Sequence, residues 1–174
     1  LLWFWSNRKT HHEGKQVITQ VTLDSWLGKS MPDICSNGYD SRSLNHCAHF
    51  VAHAANLSFG YTCRDQAGGQ GAAANLRVQE IFARCSTKNE ITQSSPGLSG
   101  IVFVSGEGNF VTRGSTTTLV NVPRKHIGFI LNAMVWHYSN SRNKVIKQTT
   151  SAFRLHYSGQ TDALWFGSLP TRGR

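Results

Sequence analysis

Lys125-His126-Ile-Gly128-Phe-Ile-Leu131, followed after Asn132-Ala133 by Met134-Val-Trp-His137-Tyr-Ser139, is the stretch whose reading decides the fold. Both runs are rich in β-branched and aromatic residues, and two residues between them are the length of a tight hairpin turn. A turn at Asn132-Ala133 pairs Leu131 with Met134 and Gly128 with His137. Side chains alternate along a strand, so His126 shares a face with Gly128, and His137 joins that face diagonal to His126. Diagonal neighbours lie about 7 Å apart at the backbone, within reach of two imidazoles. Gly128 leaves the space that the rings need.

The two-residue period extends outward from this hairpin. Ile101–Ser105, Leu119–Val122, Lys144–Gln148 and Ala163–Phe166 read as further strands, and Ser151–Tyr157 as a short helical turn. Earlier in the chain the period is helical. A helix is expected from about Leu44 to Leu57, capped by Ser41 or Ser43, with Cys47, Phe50, Val51, Ala54 and Ala55 on its apolar face. A second is expected from about Ala72 to Cys85, with Val78, Ile81, Phe82 and Cys85 inward. Gln16–Leu23 has β-branched character, and Met31 to Ser41 is turn-rich. Helices followed by an antiparallel meander define an α+β domain. Residues 1–15 read as a loosely ordered segment and 16–174 as one domain.

Composition excludes several classes. The 174 residues are 39% hydrophobic and 16% charged, too little charge for a coiled coil or a disordered acidic tail. The glycines follow no G-X-Y period, and the longest apolar runs are four or five residues, too short to span a bilayer. Eighteen Lys+Arg against nine Asp+Glu give a net charge of +9, which favours a polyanionic partner such as nucleic acid, an anionic membrane surface or a cell-wall polymer. The basic residues form no single stripe.

Cys47 sits in the first turn of the first helix, where unpaired N–H groups and the macrodipole favour a thiolate. A thiol nucleophile needs a base held by a third polar group, and His126 with His137 supply that pair. Cys35, Cys63 and Cys85 remain; in an exported protein one disulfide among them is expected, with Cys47 left as the thiol. No CxxC pair is present. His46, His49 and His53 form one stripe on the Cys47 helix that could bind zinc, but His49-Phe-Val-Ala-His53 lacks the glutamate of a metalloprotease motif. No metal and no cofactor are expected, and the stripe reads as a polar helix face or substrate-side wall.

Cys47-Ala-His-Phe-Val51 at a helix start, followed by Lys125-His-Ile-Gly-Phe-Ile-Leu131 and Val135-Trp-His137-Tyr, resembles the NlpC-type and CHAP cysteine peptidases and amidases over about Tyr39 to Gln148. The order helix Cys, strand His, strand His is that of the NlpC type, whereas Cys-Ala-x-Phe-Val is closer to CHAP domains. The resemblance implies a papain-like core and a secreted or periplasmic hydrolase of peptidoglycan amide bonds. Cys47 would be the nucleophile, His126 the base and His137 its orienter. The Cys47 N–H and Tyr39 would stabilise the oxyanion. It also implies peptidoglycan as the partner, and, for a delivered antibacterial toxin, a cognate immunity protein. Nucleic acid and a membrane span are not expected. Two alternatives stay open. One is a basic module binding nucleic acid or cell wall without catalysis, with Trp136–Arg142 and Phe153–Tyr157 as stacking surfaces. The other is a zinc hydrolase built on the His stripe.

Overall fold

The computed structural model describes residues 18–36, 38–57, 63, 77–92, 97–157 and 162–170. The loosely ordered segment expected at 1–15 and the first residues of the helix expected from about Ala72 lie outside the described residues.

The chain is a mixed α+β structure with few helices and a mostly antiparallel sheet. The helices are α1 (Gln20–Asp24), α2 (Met31–Ile34), α3 (Cys47–Ala54), α4 (Val78–Arg84) and α5 (Thr150–Arg154). The strands are β1 (Lys88–Glu90), β2 (Ser99–Gly106), β3 (Phe110–Arg113), β4 (Thr116–Leu119), β5 (Lys125–Leu131), β6 (Met134–Ser139), β7 (Lys144–Thr149) and β8 (Asp162–Gly167). Six strands form one sheet in the order β1-β8-β2-β5-β6-β7, and β3 and β4 pair separately. The expected simple meander is therefore corrected. Only β5-β6-β7 follow in chain order, and β8 enters between β1 and β2.

Both faces of the sheet are covered, which explains why β2 reads as an unbroken apolar run. On one face Ile101, Phe103, Ile127 and Phe129 pack with Phe50 and Val51 of α3 and with Ile81 and Phe82 of α4. On the other, Val102, Val104, Ile130, Val135 and Leu164 pack around Phe153 of α5. Each cluster takes alternate residues of the same strands.

The hairpin forms as the sequence predicts. Leu131 pairs with Met134, and Asn132 and Ala133 both take positive φ (50° and 63°), the pattern of a type I′ turn that matches strand twist. Gly128 stays opposite His137: a Cβ built on it would stand 3.0 Å from His137 Cβ and 2.7 Å from the Trp136 carbonyl oxygen. The described ladder between β5 and β6 ends at Phe129↔Trp136, so the strands part beyond it, on the His126 side.

Two local expectations change. Gln16–Leu23 has β-branched character, yet Gln20–Asp24 is helical: Thr19 Oγ1 accepts the Thr22 N–H at 3.1 Å and Leu23 is buried. A cap and one anchored side chain outweigh strand propensity here. The strand expected at Leu119–Val122 instead ends at Leu119, where pairing with Phe110 stops.

Candidate active site

The first turn of α3 is docked onto the end of β6 by asparagines. Asn140 Oδ1 accepts the His46 N–H at 2.9 Å, and Asn140 Nδ2 donates to Asn45 Oδ1 at 2.9 Å. Asn45 Oδ1 in turn accepts the Cys47 N–H at 3.2 Å. His46, the residue before the helix, makes no side-chain cap of its own, and these amides meet donors the turn would leave open. The neighbouring serines of the sequence reading do not cap α3.

Cys47 is 2% exposed. Its own N–H and those of Ala48 and Ile127 favour the thiolate, as does the Lys125 charge, but burial outweighs them and pushes the thiol up to about 12. The expectation of a lowered thiol at a helix start is thus corrected: in this resting structure Cys47 is neutral, because desolvation exceeds the help of the helix terminus. The Ile127 N–H can reach the sulfur because β5 has parted from β6 there.

Cys47 lines a cleft of about 180 Å³ whose walls include Asn45, Gln79, Arg77, Arg124 and Lys125. Three cationic side chains on so small a cleft suit a ligand bearing carboxylates. Arg124 holds a left-handed backbone (φ 59°), kept in place by Ser105 Oγ, which donates to the Arg124 carbonyl at 3.0 Å. Backbone strain of this kind gathers at functional sites. Arg77, Gln79 and Arg124 carry no motif that sequence reasoning could have used.

The structure brings the two predicted histidines together. His126 Nε2 lies 2.8 Å from His137 Nδ1, with rings nearly perpendicular at 84° and both residues 1% exposed. His156 stacks on His126 at 3.9 Å between ring centroids and 9° between planes. Burial first, then the neighbouring imidazoles, holds His126 well below its ordinary range. Burial and His156 lower His137 to about 4. Both rings are therefore neutral at pH 7. His126 Nδ1 is buried and has no hydrogen-bond partner among the described residues.

The structure does not join this pair to Cys47 by a hydrogen bond. His126 pairs with Val104 and its ring lies against Phe153, on the α5 face, whereas Ile127 and Phe129 face α3. Thiol and imidazole flank the same strand at adjacent residues, at the edge where β5 has left β6.

Other expectations change more. Tyr39 packs its ring edge-on against His46 and His49 and is not part of the cleft wall, so it is misplaced as an oxyanion donor. The Cys47 N–H already donates to Asn45 Oδ1. The His stripe is not a solvated face: His46 and His49 are 1% and 0% exposed, because Tyr39 and Tyr138 cover them. His49 Nε2 faces His53 Nε2 at 3.1 Å, and His53 Nε2 lies 3.1 Å from Cys63 Sγ. Cys35 and Cys63 meet at 3.6 Å between sulfurs without a disulfide, and Cys85 lies apart, donating to the Ile81 carbonyl.

Trp136, Tyr138 and Phe153 are at most 1% exposed, so these three rings are core and not stacking surfaces, while Tyr157 is half-buried. His126, His137 and His156 also cluster, but His126 Nε2 and His137 Nδ1 face each other in a hydrogen bond of 2.8 Å. Moreover, parallel stacked rings aim their lone pairs side by side. The geometry is that of a hydrogen-bonded pair with a stacked neighbour.

No family model, curated protein or solved structure matches the chain. No helix among the described residues is long and apolar enough to cross a membrane.

Proposed function

We propose that the chain is a thiol hydrolase with a papain-like core, acting outside the cytoplasm on amide bonds of peptidoglycan stem peptides. The observation that carries this reading is the 2.8 Å bond from His126 Nε2 to His137 Nδ1, one residue from the Ile127 N–H that meets the Cys47 sulfur. In the tautomer in which His126 donates Nε2–H to His137, His126 Nδ1 is bare and able to take a proton. The basic cleft beside Cys47 suits the carboxylates of stem peptides.

In this mechanism His126 Nδ1 takes the Cys47 thiol proton as the sulfur attacks the scissile carbonyl carbon. A tetrahedral adduct forms and collapses to a thioester, and the amine leaves with the proton from His126. Water, deprotonated by the same nitrogen, then releases the acid and restores the thiol. His137 fixes the tautomer and stabilises the imidazolium. Cys47 and His126 stand on opposite faces of β5, so the end of that strand must turn when substrate enters to bring sulfur and ring together, a larger change than the shortening of a hydrogen bond.

Incubation with purified sacculi tests the proposal, with mass spectrometry of soluble products identifying the bond. Release of muropeptides by the wild type and none by Cys47→Ala is the expected result. Intact sacculi with both proteins, or equal release by both, overturns it.

A further inference from the structure

We propose that Cys35, His49, His53 and Cys63 form a closed tetrahedral site for one zinc ion that is structural, separate from the Cys47 cleft. Their ligand atoms lie within 4.8 Å of one another. A tetrahedral zinc with bonds of about 2.3 Å to sulfur and 2.0–2.1 Å to nitrogen spaces its ligands by about 3.8 Å (S to S), 3.6 Å (S to N) and 3.3 Å (N to N). The structure has 3.6 Å between sulfurs, 3.1 Å from Cys63 Sγ to His53 Nε2, and 3.1 Å between the two Nε2 atoms. His49 and His53, four residues apart on α3, present both rings on one side of the helix, the spacing that chelates a metal.

Hydrogen bonding around His49 independently points to a metal. His46 Nε2 lies 2.9 Å from the Ser41 carbonyl. A carbonyl only accepts, so that nitrogen carries the hydrogen and, in a neutral ring, His46 Nδ1 is the acceptor. His46 Nδ1 is 3.2 Å from His49 Nδ1, so His49 carries its hydrogen on Nδ1 and turns a bare Nε2 toward His53, Cys35 and Cys63. A ligating histidine whose other nitrogen donates to a fixed acceptor is the usual outer arrangement of a zinc site. Here the relay ends on backbone.

Charge and burial agree. Binding releases two thiol protons to solvent, and His53 binds through Nε2 with its hydrogen on Nδ1. Two thiolates, two neutral imidazoles and Zn²⁺ sum to zero, which removes the cost of burying a net charge. Cys35, His49 and Cys63 are 4%, 0% and 9% exposed, and four protein ligands leave no open position for substrate water. The ion would tie Cys35 and Cys63 to α3, the helix that carries Cys47.

The test uses the full chain purified in reductant without chelator. Elemental analysis should give one zinc per chain, and reloading the apo protein should release about two protons per zinc. Cobalt substitution should give a thiolate-to-metal charge-transfer band with intense tetrahedral d–d bands. Cys35→Ser and Cys63→Ser should lose most of the bound metal, whereas Cys47→Ala and Cys85→Ser should keep it. The zinc and cobalt readouts on wild type need no variant to fold, and none of them depends on hydrolysis. Wild-type protein that takes up neither metal, or in which a Cys35–Cys63 disulfide persists in reductant, overturns the site. Undiminished metal in folded Cys63→Ser does the same.

Discussion

Asn140 Nδ2 stands 2.9 Å from Asn45 Oδ1 while Asn140 Oδ1 receives the His46 N–H, so one side chain at the end of β6 holds the start of the Cys47 helix. Asn140→Ala leaves the His46 N–H without its acceptor and should lower stability by about 1–2 kcal/mol. In a chain of this length that is roughly a 2–8 °C fall in Tm, readable by calorimetry. Asn140→Asp keeps the acceptor and should lose less. Equal Tm values for wild type and Asn140→Ala would show that the amide does not hold the helix.

The proposed chemistry separates the roles of the two histidines. Cys47→Ala and His126→Ala should each abolish sacculus hydrolysis, since one removes the nucleophile and the other its proton acceptor and donor. His137→Ala should leave a residual rate, and His137→Asn or His137→Gln should retain more, because an amide oxygen can still accept the His126 Nε2–H. The His126→Ala, His137→Ala double variant should be no slower than His126→Ala alone. Full activity in His137→Ala would remove His137 from the mechanism.

Gly128 is pinned between strands. The Cβ of Gly128→Ala would meet backbone at 2.7 Å and His137 Cβ at 3.0 Å, and neither is a flexible side-chain end. The strands must spread, at a cost of about 1–3 kcal/mol. The His126–His137 bond should lengthen with them, so urea midpoint and turnover should fall together. A variant of wild-type stability would show that the sheet yields at this point.

Acid should destabilise the fold. His126 and His137 are held below their ordinary value by burial, so between that value and their folded values the unfolded chain binds more protons. Stability is then complete above about pH 6.5 and declines as pH falls, by about 1.4 kcal/mol per pH unit for each histidine that titrates on unfolding. The decline continues toward about 4, the folded value of His137. Urea melts between pH 7.5 and 5 should show it. Replacing His137 with Gln should flatten the slope, and a slope unchanged in that variant would place the acid sensitivity elsewhere.

The hairpin was legible because everything that fixes it is local: alternation, a two-residue turn and a glycine. Its register alone places His126 and His137 together. The Cys47 cleft was less legible, since Arg77, Gln79 and Arg124 come from segments joined only by tertiary packing. Thiol ionisation is not legible, because helix position is visible in sequence and desolvation is not. The Cys35, His49, His53, Cys63 cluster was half visible. The His-x-x-x-His spacing stood out, but its sulfurs lie 14 residues before and 10 after it, outside any paired-cysteine pattern. The signal is a cysteine on either side of the pair within about one helix-and-loop length in sequence.

The place of β8 has a consequence for how the chain is made. Residues 162–167 pair with β1 on one side and with β2 on the other, so the sheet stays in two parts until β8 emerges from the ribosome. Until then β2, with Val102, Phe103 and Val104 among its residues, offers an open edge able to recruit a strand from another nascent chain. Synthesis interrupted before Asp162 should therefore yield insoluble protein. Pairing so distant in sequence also implies slow folding for a chain of this size.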